Sequence, residues 1–597
     1  MDKLSLIDIL FKNDEQSNGD ASMLKNGFFS RQFSGAITKK LKRILSTRPF
    51  RFIDGLFDLI SHASTISYGS SLLTFGLISI LMYFLRLSAD DSLITPIIGV
   101  VLSLIAIPCL LADKPLPLYL ADFPITDYLF YEILCMKRHT TESSVKVPVV
   151  VSVLLGFTLA LISAFLPLWQ IALVIGIAVC IYVGIESPEF VFLSSLFALP
   201  YIRFIPGGEI WLIAAVIFAL GSFLLKVLYG KRIFYIEQYD IFLGIMLLFL
   251  LISGIFIKGE ASFWGSLRMI ALSVGYVIAG NIVANRRLAE RSVNAIVISG
   301  VFSVIASLVQ VAMKFIRDGV DLSAESLSFI LARQDGMAVF LIAAVLLSVV
   351  MIKQSNGISG KLYICSSIVL LIGLVISGEV FAALAAILGV LAYHILKNNL
   401  RPGIFLPLLL AVPTLILLLP NELLNYVFTY SPSVVSAEKL IDLWNNSLKI
   451  LSNNLLIGIG VGTESFAEEM IAIGVEGYPD SSNLFIELGL EAGIFALIAF
   501  MCIIFTRMKH RSLHYLYLRN SQIERLSCVC GACMLSLLAF GMVNYIWSEP
   551  ATYYFFWCLF GIGSATLRVA KKDYDDKVIY YEESSAFDSS VIDIEIG

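Results

Sequence analysis

Residues 403–420 read GIFLPLLLAVPTLILLLP, and a long polar stretch, residues 421–483, follows them directly. An apolar run of this length crosses the hydrocarbon core of a bilayer as an α-helix. Similar runs recur along the 597-residue chain, in which 58% of the residues are hydrophobic and 15% are charged. The sequence therefore predicts an all-α polytopic membrane protein, in which residues 421–484 form a large outer loop.

Hydropathy predicts about sixteen membrane-spanning helices, with the large outer loop between the thirteenth and the fourteenth. The predicted spans are residues 66–86, 93–112, 147–166, 167–185, 188–204, 208–227, 239–258, 263–284, 293–315, 336–353, 361–378, 379–397, 403–420, 485–506, 527–547 and 551–568. The joins at 166/167 and 378/379 require very tight turns.

Basic residues predict the orientation of these spans. With sixteen spans, every basic cluster falls on the side of the N-terminus, as the positive-inside rule requires of the cytoplasmic side. These clusters are residues 39–51, 137–138, 231–232, 286–291, 397–401, 507–511 and 568–572. Both termini are therefore expected in the cytoplasm, and the first span is expected to act as an uncleaved signal anchor.

The chain divides into four parts: a basic leader (1–62), N-terminal membrane helices (63–285), a second membrane region that includes the outer loop (286–568), and a tail (569–597). The leader is either a basic amphipathic helix lying on the inner leaflet or a solvated segment. The tail is acidic, is predicted to be disordered, and accounts for most of the net charge of -4. Nothing in this charge pattern indicates a nucleic-acid partner.

Three elements are predicted inside the outer loop. Residues 436–456 form an amphipathic helix, whose apolar stripe comprises Leu440, Trp444, Leu448, Leu451 and Leu455. A glycine-rich segment, Gly458-Ile-Gly-Val-Gly462, forms either a structural turn or a phosphate-binding loop, and the acidic residues that follow favour the turn. A capping-box pattern, Ser465-Phe-Ala-Glu468, then predicts the start of a short helix.

Three stretches of this region share a pattern: WNNSLKIL from Trp444, NLLIGIGVGTESF from Asn454, and SNLFIELGLEAG from Ser482. Together they resemble the O-antigen ligase and O-antigen polymerase superfamily, whose outer loop carries a tryptophan helix, a PLxGxGxGxF turn and an HNxYLQxxxExG helix start. The resemblance covers roughly residues 290–505. It extends upstream to Gln310, to RQDGMAVF from Arg333 and to ISGE from Ile376.

The resemblance implies a GT-C-like helical bundle in a bacterial cytoplasmic (inner) membrane. The implied substrate is a polyprenyl-pyrophosphate-linked glycan, handled without cofactor or metal. Membrane lipids, a flippase and a chain-length regulator are the implied partners. The chain departs from the family where Ser482 replaces a histidine, Asp335 an asparagine, and Gly378 or Glu379 an arginine. In the predicted topology all five histidines lie at or near the cytoplasmic side, which excludes a histidine base at the outer face.

Glycan transfer from such a carrier mainly requires that the negative charge of the leaving pyrophosphate be held, and arginine does this well. Arg268, Arg333 and Arg203 are the predicted pyrophosphate-binding residues. Arg268 lies inside an apolar run, where a cation is either functional or paired, for example with a carboxylate or with Trp264. Arg333 is either functional or an interfacial residue whose side chain reaches the headgroups.

The acceptor hydroxyl needs a base or an orienting carboxylate, and Glu487, Glu491 and Asp480 are the predicted catalytic residues. Glu487 and Glu491 lie one helical turn apart. Burial of two adjacent carboxyl groups favours acid–base chemistry, whereas their place near a helix N-terminus is equally consistent with a stabilising role. Weaker candidates for glycan contacts are Trp444, Asn483, Asp335 and Glu379.

The sequence thus predicts a membrane-embedded polymerase-like glycosyltransferase, which joins lipid-linked repeat units on the outer face of the membrane. A ligase would use the same chemistry, but the missing histidine argues against it. A secondary transporter should show internal repeats or broken helices in matching halves, and no convincing repeat is visible. A non-catalytic scaffold for polysaccharide export remains the third alternative.

Overall fold

The computed structural model describes residues 63–85, 94–111, 149–163, scattered positions from 165 to 185, 187–228, 232–257 (except 233 and 238), 259–318, 335–354, 358–398, 437–513 (except 476) and 523–595. The described residues are overwhelmingly α-helical. They fall into two compact units. The first comprises Met1–Val191 and Gly221–Ile233, and the second comprises Phe192–Leu220 and Phe234–Gly597.

The first unit contains three apolar helices: α1 (Thr65–Phe84), α2 (Ile94–Leu110) and α3 (Val149–Ile162). Small residues let their backbones approach closely, which is how helices without strongly polar faces associate in a membrane. A Cβ atom on Gly76 of α1 would lie 2.6 Å from the Gly99 carbonyl oxygen of α2. The Ser71 hydroxyl donates to the Ser152 carbonyl oxygen of α3 across 2.7 Å.

Two helices cross the boundary between the units in sequence: α4 (Pro188–Ala198), which continues as a 3₁₀ helix (Leu199–Phe204), and α5 (Gly208–Leu228). The first six further helices of the second unit are α6 (Asp240–Phe256), α7 (Glu260–Ile282), α8 (Arg286–Asp318), α9 (Asp335–Gln354), α10 (Ile358–Ile376) and α11 (Val380–Lys397). The tight join predicted at 378/379 is present between α10 and α11. Gly378 makes it possible, because its φ of 72° suits glycine.

The remaining helices are α12 (Ala437–Asn453), α13 (Thr463–Ala472), α14 (Leu484–Leu513), α15 (Glu524–Phe540) and α16 (Pro550–Glu595). Helix α14 packs against α6, and α16 packs against α7 and α15. Helices α12 and α13 cover the first half of α14 through a small apolar core of their own, which includes Leu443, Ile450, Phe466 and Leu490.

Four local predictions differ from the structure, two of them in the outer loop. The buried side of α12 carries Leu440, Leu443 and Ile450, whereas the predicted stripe residues Leu448 and Leu455 are exposed. The predicted side-chain cap of α13 is also wrong, because the helix begins at Thr463 after Gly462.

The span predicted for residues 527–547 ends early, because α15 stops at Phe540 and residues 541–549 form a folded link. The backbone of α16 continues through the acidic tail to Glu595, where the sequence predicts disorder. Residues 565–596 contain neither glycine nor proline, so no residue type in this stretch breaks the helix.

Seven helices of the described residues are long and apolar enough to cross a membrane, and six shorter apolar helices accompany them. The longest of the seven candidates is Leu484–Ser512. The architecture is that of an all-α membrane protein. The predicted span 403–420, and the loop residues that follow it up to 436, lie outside the described residues.

Candidate functional site

Helix α14 is broken at Gly493, whose φ of 80° and ψ of 173° are not helical. The break frees backbone groups inside an apolar helix, and such groups must find other partners. The Leu490 carbonyl oxygen accepts from the Ile459 N–H at 2.6 Å, and the Ile494 N–H donates to the Leu455 carbonyl oxygen at 2.9 Å. The Ser253 hydroxyl of α6 donates to the carbonyl oxygen of Glu491. The first half of α14 is therefore a separate short helix that the outer-loop segment 455–459 holds in place.

The glycine-rich segment 458–462 makes this contact possible. A Cβ atom on Gly458 would lie 2.3 Å from the Leu490 carbonyl oxygen, and one on Gly460 would lie 2.5 Å from the Ser262 hydroxyl of α7. The Val461 N–H donates to that hydroxyl at 3.0 Å. These glycines permit close backbone packing, in agreement with the structural turn that the sequence favours.

Three carboxyl groups meet beside the break. Glu487 and Glu491 lie on the short half of α14 and are only 2% and 3% exposed. Asp480 precedes the helix and lies close enough for its charge to act on both glutamates. The structure thus brings together the three predicted catalytic residues, which we call the carboxyl cluster.

Glu487 is used to hold the turn before α14. Its Oε2 accepts from the Ser481 N–H at 2.7 Å. The next residues cap the helix, since the Asn483 Oδ1 accepts from the N–H groups of Phe485 and Ile486 at 3.0 and 3.2 Å. The Asn483 Nδ2 also donates to the Met542 carbonyl oxygen at 2.8 Å. Asn483, a weak candidate for a glycan contact, is therefore engaged as the N-cap of α14.

Glu491 has different partners. Its Oε2 accepts from the Tyr545 hydroxyl at 2.9 Å, and the Gly462 N–H also donates to its carboxyl group. Burial, together with the nearby Glu491 and Glu487 carboxyl groups, raises the pKa of Tyr545 well above its ordinary value. Tyr545 therefore stays protonated and donates to Glu491.

Arg268 of α7 is the described cation whose charge acts on Glu491. Its guanidinium pairs with Glu209 of α5 at 3.0 Å, and the two side chains are 40% and 50% exposed. The sequence offers a carboxylate or Trp264 as a partner for Arg268. The structure pairs Arg268 with a carboxylate, and the Trp264 side chain is mainly exposed. The side chains of Arg268 and Glu209 are both open at the surface of the bundle, so an anion can reach Arg268.

The other predicted residues lie elsewhere or outside the described set. Trp444 is half-buried on α12, and its Nε1 has no hydrogen-bond partner. Glu379 is buried at the turn between α10 and α11. Arg333 and the side chains of Arg203 and Asp335 lie outside the described residues.

Tyr545 is the site residue that sequence reasoning missed. It falls inside the predicted span 527–547, where hydropathy predicts a membrane helix. The sequence did contain a signal, because Asn544 precedes it and Ser548-Glu549-Pro550 follows, and these residues interrupt an apolar run. Among the described residues, no group of three or more His, Cys, Asp or Glu side chains is arranged to hold a metal ion.

No protein-family model matches the chain, and no curated protein matches it significantly. The features of the chain that bear on function are the carboxyl cluster and the motifs between Trp444 and Gly493.

Proposed function

We propose that the protein is a polymerase-like glycosyltransferase of the bacterial cytoplasmic membrane, which joins polyprenyl-pyrophosphate-linked repeat units on the outer face. This proposal includes sixteen spans, a GT-C-like bundle and cytoplasmic termini. A flippase and a chain-length regulator are its expected partners. The observation that carries the proposal is Glu491, a buried carboxyl group oriented by the Tyr545 hydroxyl and the Gly462 N–H beside a break in a membrane helix.

The reaction joins two lipid-linked glycans. A hydroxyl group of the acceptor sugar attacks the anomeric carbon of the donor, and the bond from that carbon to the pyrophosphate oxygen breaks. The hydroxyl proton passes to Glu491, and the polyprenyl pyrophosphate leaves with the electron pair of the broken bond. The products are a longer glycan on one carrier and a free polyprenyl pyrophosphate, so that no further reactant is needed.

Glu491 is a better base than Glu487. The Glu487 Oε2 is engaged by the backbone that leads into α14, and moving it would undo that turn. The Glu491 carboxyl group is held by a hydroxyl and a backbone N–H, which fix its orientation while leaving lone pairs for the acceptor hydroxyl. A base oriented in this way contributes about 10²- to 10⁴-fold to the rate of a proton transfer.

Arg268 supplies the positive charge for the departing pyrophosphate. In the proposed reaction it exchanges Glu209 for the donor phosphates. The guanidinium then exchanges one anionic partner for another, so its charge remains paired throughout. The charge that develops on the leaving group then makes the arginine contact stronger in the transition state than in the ground state.

The test compares Glu491→Gln with Glu464→Gln, which changes an exposed glutamate on the neighbouring α13. Glu491→Gln should lower polymer formation by about a hundredfold or more at normal protein level, and single repeats should accumulate on the carrier. Glu464→Gln should behave as the unaltered protein. Full-length polymer in the Glu491→Gln strain would exclude Glu491 as the base.

A secondary transporter is the second candidate, and the break in α14 favours it. Discontinuous helices that carry membrane carboxyl groups are typical of transporter substrate sites. Lipid-linked glycans of a strain without the protein separate the alternatives. Accumulated single repeats indicate a polymerase and accumulated polymer indicates a ligase, whereas an unchanged profile leaves a transporter of another substrate or a scaffold.

A further inference from the structure

We propose that Tyr545 is a positioning residue for Glu491, which sets both the orientation and the charge of that carboxyl group. The inference rests on the proposed role of Glu491 as the base. Tyr545 does not need to touch the glycan, because its effect is transmitted through one hydrogen bond of 2.9 Å. Its side chain is 5% exposed, so water cannot readily replace it as the donor.

The position of Tyr545 is fixed by the same backbone that begins α14. The Leu484 N–H donates to the Gly541 carbonyl oxygen at 2.7 Å, and Asn483 binds the carbonyl of Met542. The link 541–549 is thereby attached to the N-terminus of the helix that carries Glu491. Tyrosine and glutamate therefore move together, and the hydrogen bond between them survives small motions of the bundle.

Several groups face the Glu491 carboxyl group from the surrounding elements. Glu487 and Asp480 approach from α14 and the preceding turn, Arg268 from α7, and the Gly462 N–H from the start of α13. Tyr553 of α16 is also close, but its hydroxyl is paired with the Ser273 hydroxyl at 2.6 Å. Tyr545 is thus the described side-chain hydroxyl that contacts Glu491 directly.

A hydrogen-bond donor to a carboxylate stabilises its charged form. Loss of the Tyr545 hydroxyl should therefore leave Glu491 protonated over a wider range of pH. Dicyclohexylcarbodiimide reports this state without any assay of activity, because it modifies protonated carboxyl groups in apolar surroundings. The full-length protein in detergent is treated across a pH series, and mass spectrometry then measures the modified fraction of Glu491.

The variant Tyr545→Phe should move the midpoint of Glu491 modification upward by about one pH unit, since one hydrogen bond to a charged acceptor is lost. The matched control is Tyr554→Phe. Tyr554 is also buried, and its hydroxyl pairs with the Ser195 hydroxyl at 2.8 Å. The control should leave the midpoint unchanged. Melting temperatures of both variants show whether a change reflects lost packing instead.

An unchanged midpoint in Tyr545→Phe would overturn the inference, whether or not the protein makes polymer. A shift of the midpoint together with a fall in kcat for polymer formation and little change in KM would support both the inference and the proposed reaction. If the unaltered protein makes no polymer while the midpoint still shifts, the proposed function fails and the link between Tyr545 and Glu491 stands.

Discussion

Ser482 is the one non-glycine residue with a positive φ among the described residues, at 51°. It lies between the Ser481 N–H that binds Glu487 and the N-cap Asn483, so its backbone sets the direction in which α14 begins. The Ser482 N–H donates to the Asp480 Oδ1 at 2.8 Å, which secures this conformation. A left-handed residue beside the carboxyl cluster stores strain that the surrounding hydrogen bonds compensate.

Substitutions at Ser482 should therefore report on the backbone and not on the chemistry. Ser482→Val should lower the free energy of unfolding by about 1–2 kcal/mol, because a β-branched side chain fits the left-handed region poorly. Ser482→Gly should preserve the melting temperature, and Ser482→Ala should retain most polymer formation. Total loss of polymer in Ser482→Ala at normal protein level would mean that the hydroxyl takes part in the reaction.

Arg268 allows a sharper test of the chemistry. Arg268→Ala should lower polymer formation by about a hundredfold, because a charge that stabilises the leaving group is removed. Arg268→Lys should restore part of it, since an ammonium group cannot make a planar two-point contact. Glu209→Gln is the control for the lost ion pair and should keep the activity. A parallel fall of activity and protein level in the arginine and glutamine variants would show that the pair is structural.

The broken helix α14 shows how far the sequence could predict an element. Hydropathy located the helix correctly, because an apolar run is sufficient evidence of a membrane segment. It gave no sign of the break, since glycine is common in unbroken membrane helices. The break depends on the segment 455–459, which accepts and donates the freed hydrogen bonds. Such pairing between distant residues cannot be deduced from the composition of either segment.

The carboxyl cluster could also be predicted only in part from the sequence. The spacing of Glu487 and Glu491 was readable, because two carboxylates four residues apart share a face of any helix. The contacts of Tyr545 with Glu491 and of Glu209 with Arg268 could not be predicted, since these partners lie 54 and 59 residues apart in the sequence.

Two glycines with similar φ angles test the importance of the break. Gly493 and Gly474 have φ values of 80° and 81°, yet a Cβ atom would lie 2.3 Å from the Leu456 carbonyl oxygen at Gly493 and would meet nothing at Gly474. Gly493→Ala should therefore lower the melting temperature much more than Gly474→Ala, which suffers only the left-handed strain of about 1–2 kcal/mol. Equal effects in thermal unfolding of the purified variants would show that the packing at Gly493 tolerates an extra atom.

The second unit has chemically different ends. The carboxyl cluster lies at the end where α14 begins, and buried and half-buried arginines lie at the end where it finishes. Arg511 donates to the Leu396 carbonyl oxygen at 3.0 Å, in the last turn of α11, and Arg568 donates to the Val283 carbonyl oxygen at 3.3 Å, at the end of α7. Cations at helix C-termini are favourable. This distribution is consistent with an arginine end in the cytoplasm.

Labelling with an impermeant thiol reagent checks this orientation. After native cysteines are replaced, Ile471→Cys should react in intact cells, because this position on α13 is exposed and is predicted to lie outside. Tyr515→Cys should react only after the cells are opened, since residues 508–526 are predicted to face the cytoplasm. The reverse pattern would invert the topology and place the carboxyl cluster on the wrong side for a lipid-linked donor that has crossed the membrane.

The attachment of α14 to the link 541–549 also imposes an order on biosynthesis. Met542, which binds Asn483, is translated 59 residues after it. At typical rates of about 5–20 residues per second, the ribosome needs about 3–12 s to supply that partner. During this interval the newly inserted α14 carries its two glutamates without Tyr545. Nascent chains stalled before Gly541 should therefore react with carbodiimide at Glu491 more readily than finished chains. On this view the carboxyl cluster is completed only when the link 541–549 between α15 and α16 has been made.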